Sequence, residues 1–223
     1  LDEDLSAPMD GRNGRHPLPD PQRLADRLGA VGVTPQTQVV VYDANVLYPS
    51  TLRDVLIRVG LARLVQPKWT ERILDEVFRN LRTNRPDLEP SRLDRTRRLM
   101  NDAIRDVTVT GYEYLIDQLE LPDPDDRHVL AAAICTEAEV IVTRNLRDFP
   151  AHALGSWGIE VQHPDAFLAG LHEAHPDTLG GIVTAIARAW GGDATAVDVL
   201  DRLAVDAPHA AGLVRQSLGN PTA

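Results

Sequence analysis

Two short runs, Val39-Val40-Val41-Tyr42 and Val140-Ile141-Val142-Thr143, constrain the fold of this chain more than any other feature. Both are continuous apolar stretches rather than alternating ones, and they read as strands of a parallel sheet buried on both faces. The first run leads into Asp43, and the second leads through a turn to Asp148. Ligands of an open α/β sheet lie beyond the carboxyl ends of its strands. Both acids therefore sit where a site would form. Carboxylates that converge there repel one another unless cations neutralise them, and an oxygen-rich set suits Mg²⁺ or Mn²⁺.

Hydrophobic patterning places strands at 38–43, near 64–65, and at 107–109, 139–143 and 159–161. Helices are expected from Pro49 to Gly60 and over 71–82, 91–106, 124–137 and 165–174. Strands that alternate with helices imply an α/β fold, a parallel sheet with helices on both faces. The helix over 71–82 would bury Ile73, Leu74, Val77, Phe78 and Leu81, and Ser91 with Asp94 reads as a capping-box variant. After His175-Pro176 the pattern becomes helical only, with helices expected at 177–190, 193–203 and 207–218. Three segments follow: a loose N-terminal extension (1–37), an α/β domain (38–175) and a small all-helical appendage (176–223). Within the first, residues 1–19 carry no periodicity, and Asp20-Pro21 opens a short amphipathic helix with Leu24, Leu28 and Val31 on one side.

A net charge of −10 argues against a protein that coats nucleic acid nonspecifically, but a local basic strip can still hold RNA while carboxylates hold metal. Nine arginines lie between Arg72 and Arg105, and of these Arg79, Arg82, Arg95, Arg97 and Arg98 are candidates for phosphate contact. The alternative is a solvated helix face that pairs with Asp94 and Asp102. Cys135, the single cysteine, lies in an apolar helical stretch and is expected to be a buried, inert thiol; with no intrachain disulfide possible, a reducing, cytoplasmic setting is expected. No stretch reads as a signal peptide or a membrane span.

Each acid has an ordinary alternative. Asp43 could cap a helix, although the next helix is expected only from Pro49. Asp123, Asp125 and Asp126 crowd one helix start, which is more negative charge than a cap and a dipole partner need. Periodicity does not choose between Glu76 and Asp75, which border the apolar stripe on opposite sides. Asn145 could satisfy backbone groups in a turn, and Asp148 could be an ordinary loop acid.

Four segments, in this order, carry a family resemblance: Val-Val-Val-Tyr-Asp43-Ala-Asn45, then Ile-Leu-Asp-Glu76-Val, then Asp-Pro-Asp-Asp126-Arg-His-Val-Leu-Ala-Ala-Ala, and finally Ile-Val-Thr143-Arg-Asn145-Leu-Arg-Asp148-Phe-Pro. From about Val39 to Leu171 the chain resembles PIN-domain ribonucleases, the fold of VapC-type toxins, and the helical tail is similar to an extension found in a subset of them. The resemblance implies Asp43, Glu76, Asp126 and Asp148 as catalytic metal ligands, choosing Glu76 over Asp75 and Asp126 over Asp125. Asn45, Thr143 and Asn145 would support them. Many members carry an acid where this chain has Asn145; another branch has this Asn with an acid three residues on, as Asp148 is here.

The function so implied is an Mg²⁺- or Mn²⁺-dependent endoribonuclease, the toxin of a toxin–antitoxin pair. It would leave 5′-phosphate and 3′-hydroxyl ends, dimerise, and be blocked by an antitoxin protein. A catalytically inactive scaffold that binds RNA or a partner is the alternative. A haloacid-dehalogenase-like phosphatase would need a second Asp at position 45. His128 is expected to be a partly exposed helix residue, with substrate contact as the other reading.

Residues 1–43 resemble a fragment of rhodanese-type sulfurtransferases, through Asp10-Gly-Arg-Asn-Gly-Arg-His-Pro-Leu-Pro-Asp-Pro21 and the Thr-Gln-Val-Val-Val-Tyr-Asp-Ala segment. The fragment lacks the loop cysteine that sulfur transfer requires, so the resemblance implies no such activity.

Overall fold

A computed structural model describes residues 37–219; the helix expected after Asp20-Pro21 lies outside them. The five strands are β1 (Val39–Tyr42), β2 (Gln66–Thr70), β3 (Thr108–Val109), β4 (Val140–Val142) and β5 (Glu160–Gln162). They form one sheet in the order β3-β2-β1-β4-β5, with every pairing parallel. β1 and β4 are the central pair, with Val41 opposite Ile141 and Tyr42 opposite Val142. All of Val40, Val41, Tyr42, Val140, Ile141 and Val142 are buried. Their side chains have no solvent face, which is why both runs lack alternation.

The chain leaves β1 toward β2 and β3, then returns to β4 and continues outward to β5. Connections that run in opposite directions with the same right-handed sense put their helices on opposite faces of the sheet. The order therefore reverses between β1 and β4, and the crevice of such a sheet opens at their carboxyl ends.

Helices α1 (Ala44–Leu47) and α2 (Ser50–Leu61) follow β1, and α3 (Glu71–Asn84) and α4 (Pro90–Ala103) follow β2. Four residues, α5 (Glu113–Ile116), and a 3₁₀ turn at Pro124–Asp126 precede α6 (Arg127–Cys135). After β4 come a 3₁₀ turn at Leu146–Asp148 and α7 (Ala151–Leu154); α8 (Pro164–Ala174) follows β5. α6 packs on β1, β2 and β4, and it is buried along Val129–Ile134. Trp69 of β2 is fully buried, and its indole N–H donates to Asn101 of α4 at 2.9 Å. That bond satisfies the one polar atom of a large apolar side chain.

Most strand ends and helix starts lie within three residues of their expected places, but β2 begins at Gln66, beyond the strand expected near 64–65, and ends at Thr70, which caps the next helix. Thr70 caps α3 through its hydroxyl, which accepts from the Ile73 N–H at 3.0 Å. The capping box expected at Ser91 is not formed. α4 begins at Pro90 after Glu89 with no side-chain cap, and Asp94 instead binds Arg82 of α3 at 2.7 Å.

Three helices close the described chain: α9 (Pro176–Trp190), α10 (Ala196–Leu203) and α11 (Pro208–Gly219). α10 opens with a capping box between Thr195 and Asp198. The three helices form the all-helical C-terminal region expected from the sequence, and it packs closely on the α/β domain. Leu179, Ile186, Val199 and Val214 belong to the same continuous hydrophobic core as β1, and α9 packs against both α2 and α8. Asp165 at the start of α8 accepts from the Ala210 N–H at 2.8 Å and the His209 N–H at 3.2 Å. It thereby satisfies two of the unpaired donors at the start of α11.

Candidate active site

Asp43 stands at the end of β1, is 3% exposed, and caps the short helix α1. The expectation that no helix starts before Pro49 is corrected here: α1 is one turn long, too short for periodicity to reveal. The Ala44 N–H donates to Asp43 Oδ1 at 2.6 Å. Its Oδ2 accepts from the Thr143 hydroxyl at 2.7 Å and the Asn45 amide at 2.6 Å. Asn45 also reaches Thr143 Oγ1 at 2.8 Å, and its carbonyl oxygen accepts from the Arg144 N–H at 3.0 Å. The Asn145 N–H donates to Thr143 Oγ1 at 3.0 Å. The expected supporting residues thus tie the ends of β1 and β4 together around one carboxylate. Burial raises the Asp43 pKa, and the Thr143 and Ala44 hydrogen bonds oppose that rise.

The crowd of acids before α6 divides into three tasks. Asp123 is the cap: its Oδ1 accepts from the Asp125 N–H at 2.9 Å. Asp125 points to solvent, 94% exposed and 4.0 Å from Arg72. Asp126 makes no cap bond and lines the cleft, where its Oδ2 is buried without a hydrogen-bond partner among the described residues. Loss of solvent pushes its pKa up to about 7, with repulsion from Asp43, Asp123, Asp148 and Glu76 adding to the rise.

Glu76 and Asp75 of α3 part in the same way. Glu76 lines the cleft and bonds His128 Nε2 at 2.9 Å, whereas Asp75 is 64% exposed and binds Arg97 at 2.6 Å. His128 was expected to be partly exposed or to touch substrate. It is instead 1% exposed, with Nδ1 buried and without a hydrogen-bond partner among the described residues. The sequence signal was available, since α6 reads Val-Leu-Ala-Ala-Ala-Ile and has no polar face for a histidine to share. Cys135, expected to be buried, is exposed at the end of that helix. Partial burial and the nearby Glu113 push its thiol pKa up, away from the reactive thiolate.

Asp43, Glu76 and Asp126 therefore meet in a cleft of about 360 Å³ at the β1–β4 switch point, with Asn45 and Asn145 on its wall. Asp148 does not line it. It sits in the 3₁₀ turn, its N–H bound to the Asn145 carbonyl at 3.0 Å, and it acts on the cleft through its charge on Asp126. Four further polar side chains line the cleft without having been expected there: Tyr48, Asn80, Asn84 and Arg144. Asn80 and Asn84 fall four and eight residues after Glu76, on the same helical ridge, and that spacing is the signal that could have found them.

The candidate arginines divide as well. Arg97 is held by Glu71 and Asp75 and lies 6.0 Å from the Phe78 ring, so it ties α3 to α4 rather than facing free solvent. Arg82 is paired with Asp94, while Arg79, Arg95 and Arg98 are exposed.

The donor set suits a hard divalent ion: oxygen only, with an orphaned carboxylate oxygen on Asp126. Among the described residues, however, no three His, Cys, Asp or Glu side chains stand close enough as placed to hold an ion. The tight gathering expected from the sequence is thus looser. Repulsion is met by hydrogen bonds at Asp43 and by a raised proton affinity at Asp126.

A PIN-domain family model matches residues 39–147. A Mycobacterium tuberculosis protein with the provisional name ribonuclease VapC50 is 37% identical over 92 residues, covering 41% of this chain and 54% of that protein. A Pseudomonas aeruginosa protein provisionally named a 3-mercaptopyruvate sulfurtransferase is 57% identical over 44 residues, which is 19% of this chain and 16% of that protein. The chain thus spans about half the length of the first relative and a small part of the second. No solved structure gives a significant match. Among the described residues, no helix is long and apolar enough to cross a membrane.

Proposed function

We propose, from the PIN domain at residues 39–147, that this chain is a divalent-metal-dependent endoribonuclease and the toxin of a toxin–antitoxin pair. The observation that carries the reading is the meeting of Asp43, Glu76 and Asp126, from three separate elements, in one cleft where Asp126 Oδ2 has no partner among the described residues. These three carboxylates would hold the ion, and Asp148 would add negative potential from the rim. Bound Mg²⁺ or Mn²⁺ supplies Lewis acidity, lowering the pKa of water and offsetting charge on phosphoryl oxygens.

The chain's own groups prepare that site. Thr143 and Asn45 fix Asp43 Oδ2 in one orientation, and the α1 N–H at Ala44 fixes Oδ1. The buried His128 holds Glu76 through Nε2, as an outer partner does for a metal-binding carboxylate. Asn80 and Asn84 present neutral donors and acceptors along the wall, where an RNA backbone could lie without added charge repulsion. An antitoxin segment that inhibits the enzyme would occupy the same cleft, and a homodimer is the expected assembly.

The test is cleavage of RNA in Mg²⁺ or Mn²⁺, with end-group analysis. Products with 5′-phosphate and 3′-hydroxyl ends, lost in chelator and in Asp43→Asn, support the reading. Cleavage that persists in excess chelator or in folded Asp43→Asn defeats it.

A further inference from the structure

Arg144 is the one lysine or arginine that lines the acidic cleft among the described residues. Its backbone N–H is fixed to Asn45 Oδ1 at 3.0 Å, and through Asn45 to Asp43. Its guanidinium reaches the other way, where Nη2 pairs with the carboxylate of Asp206. Asp206 lies in the turn between α10 and α11, with its side chain 10% exposed. The turn is held by the Asp206 N–H and Ala207 N–H, both donating to the Leu203 carbonyl at 2.9 and 2.8 Å, and Ala207 is fully buried. The start of α11 is pinned to α8 through Asp165. An acid of the helical extension, itself held by its turn, therefore fixes the guanidinium of an arginine that lines the cleft.

From this arrangement we propose that Arg144 contacts a phosphate of the RNA beside the scissile position, and that Asp206 of the C-terminal helices is its positioning residue. The inference rests on the nuclease reading and deepens it, because the extension becomes part of the substrate site. The planar guanidinium offers five donors in a fixed fork. Asp206 takes Nη2, while Nε and Nη1 have no hydrogen-bond partner among the described residues. The N–H groups of Nε and Nη1 are thus left to donate to phosphate oxygens. A carboxylate-lined cleft otherwise repels a polyanion, so a cation on its wall has a specific task.

The experiment measures binding of fluorescently labelled single-stranded RNA to the full chain by anisotropy, in chelator so that nothing is cleaved, over a series of salt concentrations. Arg144→Ala is expected to weaken binding by about tenfold, the loss of one charge-assisted contact. The slope of log affinity against log salt should become shallower by about 0.7, one phosphate neutralised on a single strand. Arg144→Lys keeps the charge and should keep the slope while losing part of the affinity. Asp206→Ala should weaken binding by less than Arg144→Ala with the slope unchanged, and should have no further effect in an Arg144→Ala background. A merely structural ion pair would leave the salt slope at its wild-type value. Wild-type affinity and slope in folded Arg144→Ala, or independent additive effects of the two substitutions, overturn the proposal. If Arg144→Ala fails to fold, Arg144→Gln, which removes the charge and keeps the side-chain length, carries the same comparison with Asp206→Asn. Absence of RNA binding by the wild-type chain would overturn the nuclease reading itself.

Discussion

Replacing Asp126 by Asn should stabilise the metal-free protein while removing its activity, and the gain should depend on pH in a definite direction. The Asp126 carboxyl has a folded-state pKa of about 7, raised by burial and by its acidic neighbours. The unfolded chain binds that proton only near the ordinary aspartate pKa of about 3.9. A raised folded pKa means that the favourable contribution is fully present below the unfolded value and is lost as pH rises through the folded one. The gap corresponds to at most about 4 kcal/mol above pH 7. Water reaches the cleft, and screening reduces this to about 1–2 kcal/mol. For a chain of this size that is about 2–8 °C in Tm. Thermal melts in chelator from pH 4 to pH 8 should therefore show wild type and Asp126→Asn coinciding at pH 4 and separating toward pH 8, with the variant the more stable. Added Mn²⁺ should then raise the wild-type Tm and leave the variant behind. A variant that melts below wild type at pH 8, or a gap independent of pH, would refute the electrostatic account of this carboxyl.

Other substitutions follow from the same geometry. Thr143→Val removes the hydroxyl that serves both Asp43 and the Asn145 N–H; urea unfolding should report a loss of about 1–3 kcal/mol, with RNA cleavage reduced. His128→Leu leaves Glu76 without its Nε2 partner, so Mn²⁺ affinity by calorimetry should fall about 10–100-fold, whereas an unchanged affinity would remove His128 from the site. Gly60→Ala places a Cβ 2.6 Å from the Pro67 ring, and a lower Tm with unchanged metal affinity is expected because overpacking costs about 1–3 kcal/mol.

Much of this arrangement is legible in the sequence, for reasons that differ by residue. Unbroken apolar runs identify β1 and β4 because both strands are covered on two faces, and Asp43 follows because it sits where β1 ends. Glu76 and Asp126 were not separable from Asp75 and Asp125 by periodicity. Each choice depends on which neighbour finds a partner: Arg97 draws Asp75 outward, and the Asp123 cap leaves Asp126 free to face the cleft. The burial of His128 is not legible from helical periodicity, which assumes a solvent face that α6 lacks. The pairing of Arg144 with Asp206 joins residues 62 apart in sequence, and no local pattern encodes such a contact. The C-terminal helices were placed correctly as elements, yet their packing onto α2 and α8 depends on surface complementarity that hydropathy does not specify.

Anomalous diffraction from crystals soaked in Mn²⁺ tests the central claim most directly. The account predicts a peak at the carboxyl ends of β1 and β4, coordinated by oxygens of Asp43, Glu76 and Asp126, and lost in Asp43→Asn. A well-occupied peak elsewhere, or none in a cleft open to solvent, would contradict it.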